Sequence, residues 1–156
     1  EAADTSGHSV APSRVSTATS GIGTSPLTRE RPMSATQAKL DYLAARLLES
    51  EAGRLYPSAS RVVFGDGNSE ADLVVVGEAP GGEEDRLGRP FVGPSGQLLD
   101  RVLAKGGLPR EQVYICNVIK RRPPGNRDPS PEEVRVSLPW LHAQILLIQP
   151  KVLLAV

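Results

Sequence analysis

The chain has 156 residues, and its eighteen basic and eighteen acidic side chains cancel, so a polyanion-binding role must rest on local patches and not on the whole surface. That length fits one domain with room for a real core. One cysteine, Cys116, excludes an intramolecular disulfide and an ordinary cysteine-ligated metal cluster, and no apolar run approaches a membrane span.

Residues 1–33 are rich in Ser, Thr, Ala, Gly and Pro without helical or alternating pattern, so they read as a disordered extension preceding a domain at 34–156. The chain opens at Glu1, Met33 is a candidate start, and no signal-peptide pattern is visible; cytoplasm is the expected compartment. Ser34-Ala35-Thr36-Gln37 fits a capping box, and Leu40, Leu43, Ala44 and Leu47 form one apolar face of a helix expected to end near Glu51–Gly53. Arg61–Phe64 is a short strand candidate, followed by a turn cluster, Gly65-Asp66-Gly67-Asn68.

Leu73-Val74-Val75-Val76 reads as a buried parallel strand that breaks into glycines, a proline and acids. Ligands of open α/β folds sit beyond the carboxyl ends of strands, so chemistry is expected between Gly77 and Gly96. Ser95 is placed as the cap of a helix from Gly96 to Lys105, with Leu98, Leu99, Val102 and Leu103 inward and Gly106-Gly107 stopping it. Val113–Val118 reads as a second buried strand ending at Asn117, followed by a basic, proline-rich loop, Lys120–Pro129. Ser130-Pro131-Glu132-Glu133 announces a helix toward Ile148 that contains Pro139, and Lys151–Val156 reads as a third strand. The alternation of helices and strands predicts a three-layer α/β/α fold around a central parallel sheet, incomplete at its C-terminus.

Five motifs in order then point to one family: Gly77-Glu78-Ala79-Pro80-Gly81; Glu84-Asp85; Gly88-Arg89-Pro90-Phe91-Val92-Gly93; Val113-Tyr114-Ile115-Cys116-Asn117; and Arg122-Pro123-Pro124-Gly125-Asn126-Arg127. From about Leu43 to Val156 the chain resembles the family 4 uracil-DNA glycosylases. The resemblance implies removal of uracil from DNA by hydrolysis of the N-glycosidic bond, leaving an abasic site for base excision repair. It also implies uracil-containing DNA as partner, with no membrane, and a monomer is expected.

On this resemblance Phe91 supplies an aromatic face for a flipped base, and such stacking is worth ~1–3 kcal/mol. Asn117 offers a donor and an acceptor that match the O4/N3–H edge of uracil and mismatch cytosine. Glu84 crowds the C5 edge against thymine, and Glu78 orients water or balances charge on the sugar. Backbone amides at Gly77, Ala79 and Gly81 face the uracil O2. Gly93 and Ser95 lead into a helix N-terminus suited to phosphate, and Lys120, Arg121, Arg122 and Arg127 form a basic patch for the DNA backbone. The bland alternatives are a hydrophobic plug for Phe91, a strand-end cap for Asn117, and solvated turns for both charge runs; Glu83 is left as solvated.

Two departures stand out. The family holds a [4Fe–4S] cluster on four cysteines; the corresponding positions here are Ser50, Gly53, Arg121 and Ser137, so no cofactor or metal is expected. Arg121 is expected to add charge to the DNA surface instead. A late His-Pro-Ser motif of the family has no counterpart; His8 and His142 do not match it. A weak or inactive fragment is therefore expected, or a degenerate homologue that binds DNA or uracil without cleaving. A nucleotide-phosphate domain ranks last, because neither Gly-x-x-x-x-Gly-Lys-Ser/Thr nor Gly-x-Gly-x-x-Gly follows the first strand.

Overall fold

The computed structural model describes residues 33–156; the expected extension and His8 lie outside them, apart from the exposed Met33. The first helix, α1 (Ala35–Leu48), starts as expected: the Ser34 hydroxyl accepts the Gln37 N–H at 3.1 Å. The Gln37 side chain instead donates to Asp41, so the box is half formed. The helix ends at Leu48, and Ser50 caps a separate short helix, α2 (Glu51–Arg54).

Arg61–Phe64 is not a strand. Val63 is fully buried, yet its N–H goes to the Lys120 carbonyl at 2.7 Å, outside any ladder. The ladder forms two residues later, where β1 (Asp66–Gly67) pairs antiparallel with β3 (Tyr114–Asn117). Gly67 takes a φ of 118°, and a Cβ there would strike the Val113 carbonyl, so this close approach requires glycine.

The sheet order is β1-β3-β2-β4, with β2 (Leu73–Gly77) parallel to both β3 and β4 (Val152–Ala155). Alternation along the strands divides the core. Val74, Tyr114 and Cys116 pack with Leu40 of α1 and with Leu141 and Ile148 of α5 (Pro131–Ile148). Val75, Val113 and Ile115 pack on the other face with Leu99 and Leu103 of α4 (Pro94–Lys105). Helices thus cover both faces of a largely parallel sheet, the expected α/β architecture. Each buried Val or Ile contributes ~1.5–3 kcal/mol of transfer free energy.

Some element ends differ from expectation. The cap of α4 is Gly93, and Ser95 is its second residue. Leu98 and Val102 are more than half exposed, so only Leu99 and Leu103 of the expected four face the core. The acidic run folds as a helix, α3 (Gly82–Leu87), stopped by Gly88 at a φ of 72°. In α5, Ser130 and Glu133 complete the expected capping box, and the helix continues through Pro139. Along β4, Val152, Leu153 and Leu154 are exposed.

Candidate functional site

The parallel register sets Gly77, the last residue of β2, beside Asn117, the last of β3. Period-two alternation puts Asn117 on the face of Val113 and Ile115, the side of α4. Phe91 reaches the same point from the loop before α4. A Cβ on Gly77 would lie 2.5 Å from the Phe91 ring and closer still to Asn117 Oδ1. Glycine at 77 is what lets the ring and the amide meet. Beside them opens a cleft of about 230 Å³, lined by Glu78, Ala79, Gly81, Phe91, Asn117 and Asn126 among others. That is below the ~300–1,000 Å³ of drug-sized pockets and suits one flat ring.

Asn117 is 2% exposed, and its Oδ1 is buried without a hydrogen-bond partner. An orphaned buried acceptor costs about 1–3 kcal/mol unless something donates to it. Asn117 lines the cleft, so this acceptor sits at its wall.

Phe91 holds a φ of 50°, the left-handed region that aromatic residues rarely adopt. Four contacts fix it. The Arg110 guanidinium donates to the Phe91 carbonyl at 2.8 Å and to the Pro90 carbonyl, the Val92 N–H donates to Glu84 Oε1 at 2.9 Å, and Gly96 of α4 packs against the Phe91 carbonyl, where a Cβ would clash. Arg110 also pairs with Asp100 at 3.0 Å. Its role escaped sequence reasoning because it acts nineteen residues away from Phe91.

Glu84 lines the cleft, but its carboxylate is occupied. Oε1 accepts the Val92 and Gly93 N–H groups at 2.9 and 2.8 Å, and Oε2 accepts the Gly81 N–H at 3.1 Å. Burial pushes its carboxyl up; the N–H donors of Gly93, Val92 and Gly81 outweigh that and hold it below the usual carboxylate range. Glu84 therefore frames two walls of the cleft and is not a free gate at a base edge. The same bonds correct two further expectations: the Gly81 and Gly93 N–H groups serve Glu84, not uracil O2 or phosphate. Ala79 lines the cleft, Glu78 is exposed at it, and Ser95 is exposed at its α4 side. Asp85 turns the other way and accepts the Arg61 and Ser60 N–H groups at 2.9 and 3.1 Å.

The basic patch does not form as expected. Lys120 is fully buried; its Nζ donates to the Asn117 carbonyl at 2.7 Å, to the Phe64 carbonyl at 3.3 Å and to Gln144 Oε1. Arg121 turns inward and donates to the Gly53 carbonyl at 3.0 Å and to the Ala59 carbonyl. Arg127 is exposed but forms a two-pronged pair with Glu133 at 2.9 and 2.7 Å, over the Tyr56 ring. Arg122 is half-buried, its Nε bonded to Asn126 Oδ1 at 2.7 Å. Carbonyls at Asn117 and Phe64 draw Lys120 inside, and those of Gly53 and Ala59 engage the half-buried Arg121.

The four positions aligned with cluster cysteines carry no thiolate donor. Among the described residues no group of three His, Cys, Asp or Glu side chains is placed to hold a metal, and Cys116 is buried in the sheet. Ser50 Oγ is engaged by the Leu47 carbonyl and the Gly53 N–H, and a guanidinium occupies the third position. This donor set does not fit an iron–sulfur cluster.

Comparison with known proteins agrees with this geometry. The family model described as "Uracil DNA glycosylase superfamily" matches residues 64–156. A protein named type-4 uracil-DNA glycosylase from Thermotoga maritima is 47% identical over 116 residues, 74% of this chain and 60% of that protein. One of the same name from Archaeoglobus fulgidus is 46% identical over 114 residues, covering 73% of this chain and 57% of the relative. A type-5 uracil-DNA glycosylase from Thermus thermophilus is 33% identical over 106 residues, covering 59% of this chain and 48% of its own length. The chain therefore spans roughly half to three-fifths of these relatives. The matched segment contains β2, β3, Phe91 and Asn117, and on it the chain belongs to the uracil-DNA glycosylase superfamily.

Proposed function

We propose that the cleft receives a uracil base flipped out of DNA and that the chain serves its hydrolytic excision, leaving an abasic site for base excision repair. One observation carries this reading: the buried, partnerless Oδ1 of Asn117 beside the Phe91 ring. Uracil presents N3–H to that acceptor and O4 to the amide N–H. Cytosine presents the opposite pattern at both atoms, and sites built to hydrogen-bond discriminate strongly against such mismatches. The Phe91 ring stacks on the base.

In the reaction the C1′–N1 bond breaks, and its electron pair leaves with uracil as the uracilate anion. Water adds to C1′ and releases a proton. Asn117 holds the departing base, and Glu78, exposed on the cleft, faces the sugar side, where a carboxylate balances the developing positive charge. Ser95 and Arg122 are the groups assigned to DNA phosphates, in place of the broader patch the sequence suggests. The partner is uracil-containing DNA, met by a monomer in the cytoplasm; no described helix is long and apolar enough to cross a membrane.

The test is release of free uracil from single-stranded oligonucleotides and U·G duplexes by the 156-residue chain. Release is expected from uracil and not from cytosine or thymine, with Asn117→Ala slower by roughly 10²–10³-fold. The rate is expected to be weak, and equal rates for wild type and Asn117→Ala, or release of cytosine as fast as uracil, would overturn the excision reading.

A further inference from the structure

A half-buried arginine needs acceptors for the ends of its fork. Arg121 finds two, on a segment far away in sequence: the carbonyls of Gly53, in α2, and of Ala59, in the loop after it. No carboxylate lies within ion-pair reach of Arg121 among the described residues, so its interaction with the fold is with main-chain carbonyls. The neighbouring positions continue the same polar chain. The Gly53 N–H donates to Ser50 Oγ at 3.1 Å, and that hydroxyl donates to the Leu47 carbonyl at 2.7 Å. Ser50, Gly53 and Arg121 are three of the four positions that align with cluster cysteines. The fourth, Ser137, is fully buried in α5, which packs on α2.

The backbone is also committed against thiolate ligands. A Cβ on Gly53 would fall onto the Leu47 carbonyl and 2.7 Å from its carbon, so this arrangement of α1 and α2 accepts no side chain there. Arg121 Nε and Ser137 Oγ are both buried without partners, and neither group is a thiolate that could ligate iron.

We propose that the Arg121 guanidinium replaces the iron–sulfur cluster as the staple joining α2 and its following loop to the segment after β3, making this an iron-independent branch of the family. What the staple holds matters for the cleft. Pro123, Asn126 and Arg127, within six residues of Arg121, form one side of it. Ala59 is followed by Ser60 and Arg61, whose N–H groups are anchored by Asp85 of α3. Arg121 is thus a positioning residue: it ties the third wall of the cleft to the frame that carries the other two.

The proposal does not depend on uracil excision, and its main readouts need no activity. The full chain is produced in iron-rich medium, purified without oxygen, and analysed for iron and sulfide. Thermal midpoints are then compared for wild type, Arg121→Ala and Arg121→Lys, with and without a chelator and with low-millimolar guanidinium or sodium ion. Backbone amide resonances of Asn126 and Arg127 report the loop. Expected are no stoichiometric iron and no effect of chelator on wild type. Arg121→Ala should melt roughly 5–10 °C lower. Guanidinium, but not sodium, should restore its midpoint and return the Asn126 and Arg127 resonances toward wild type. Arg121→Lys should melt between the two, because one ammonium cannot bridge both carbonyls as a fork does. Stoichiometric iron whose removal lowers the midpoint would overturn the proposal, as would Arg121→Ala melting like wild type. If Arg121→Ala does not fold, the iron analysis and the Arg121→Lys midpoint still decide.

Discussion

At the scale of the residue, the cleft is built on one missing side chain. Gly77 has no Cβ, and the space is filled by the Phe91 ring and the Asn117 amide. Gly77→Ala is therefore expected to push both aside, cutting uracil release by ~10²-fold, the effect of misplacing a reacting group by about an ångström. The accompanying loss of stability should be about 1–3 kcal/mol, as for overpacking elsewhere, measurable by urea titration. Lys120 makes a second residue-scale prediction. Burial lowers its ammonium from 10.5 to about 8, against a smaller opposing pull from Cys116. Around it lie Asn117, Cys116 and Tyr114 of β3, Gln144 of α5 and the Phe64 carbonyl and ring, with no acid paired to it among the described residues. Between those two pH values the unfolded chain binds more protons at Lys120 than the folded one, so this residue's contribution to stability rises with pH. Unfolding of wild type and Lys120→Met, compared from pH 7.5 to 10.5, should show wild type gaining up to ~3 kcal/mol relative to the variant. Burial pushes Cys116 and Tyr114 up in both proteins, and Lys120 pulls the Cys116 thiol down, so the comparison is made in a Cys116→Ala background.

At the scale of the element, α3 is a six-residue helix whose two buried carboxylates hold two different segments of the chain. Glu84 gathers the N–H groups of the cleft walls, and Asp85 gathers those of Ser60 and Arg61. For both, burial pushes the carboxyl up and the main-chain donors more than reverse it, leaving the folded value low. A lowered folded value means stability that is present above the usual carboxylate range and is lost as pH falls through the folded value. Acid unfolding of wild type should therefore be steeper than that of Glu84→Gln, which is expected to be less stable by about 1–3 kcal/mol at neutral pH, because its amide can no longer accept at every site. The sequence concealed this element. In sequence the acids Glu83, Glu84 and Asp85 carry no helix signal, with a solvated turn as the bland alternative, and no apolar periodicity betrays that two of them face inward. Arg61–Phe64 misled in the opposite sense: its apolar residues report burial, and burial without a ladder looks the same in sequence as a strand. By contrast, the hydroxyls of Ser34 and Ser130 announced their helices correctly, because a cap is a local interaction within three residues.

At the scale of the whole molecule, alternation along β2 and β3 was legible, and with it the α/β layering and the end of the sheet where the cleft lies. Gly77, Phe91 and Asn117 were legible for the same reason: strand ends and the loops beyond them can be located without a structure. Lys120 and Arg121 were not, since charge in sequence predicts surface, while the carbonyls that draw these two inside come from Phe64, Asn117, Gly53 and Ala59. Contacts so distant along the chain leave no local pattern, and Arg110 behind Phe91 is a third case. The result is a cleft with one buried amide at its head, walls fixed by buried charge, and little basic surface of its own. The proposed recognition of uracil is open to direct measurement, apart from DNA binding and from catalysis. Free uracil, thymine and cytosine are titrated into the isotope-labelled chain while the side-chain amide resonance of Asn117 is followed. Uracil should shift that resonance saturably, cytosine should leave it in place, and Asn117→Ala should abolish binding. A response to cytosine equal to that to uracil, or an Asn117 amide that does not move at high uracil, would contradict the assignment of this cleft as a uracil pocket.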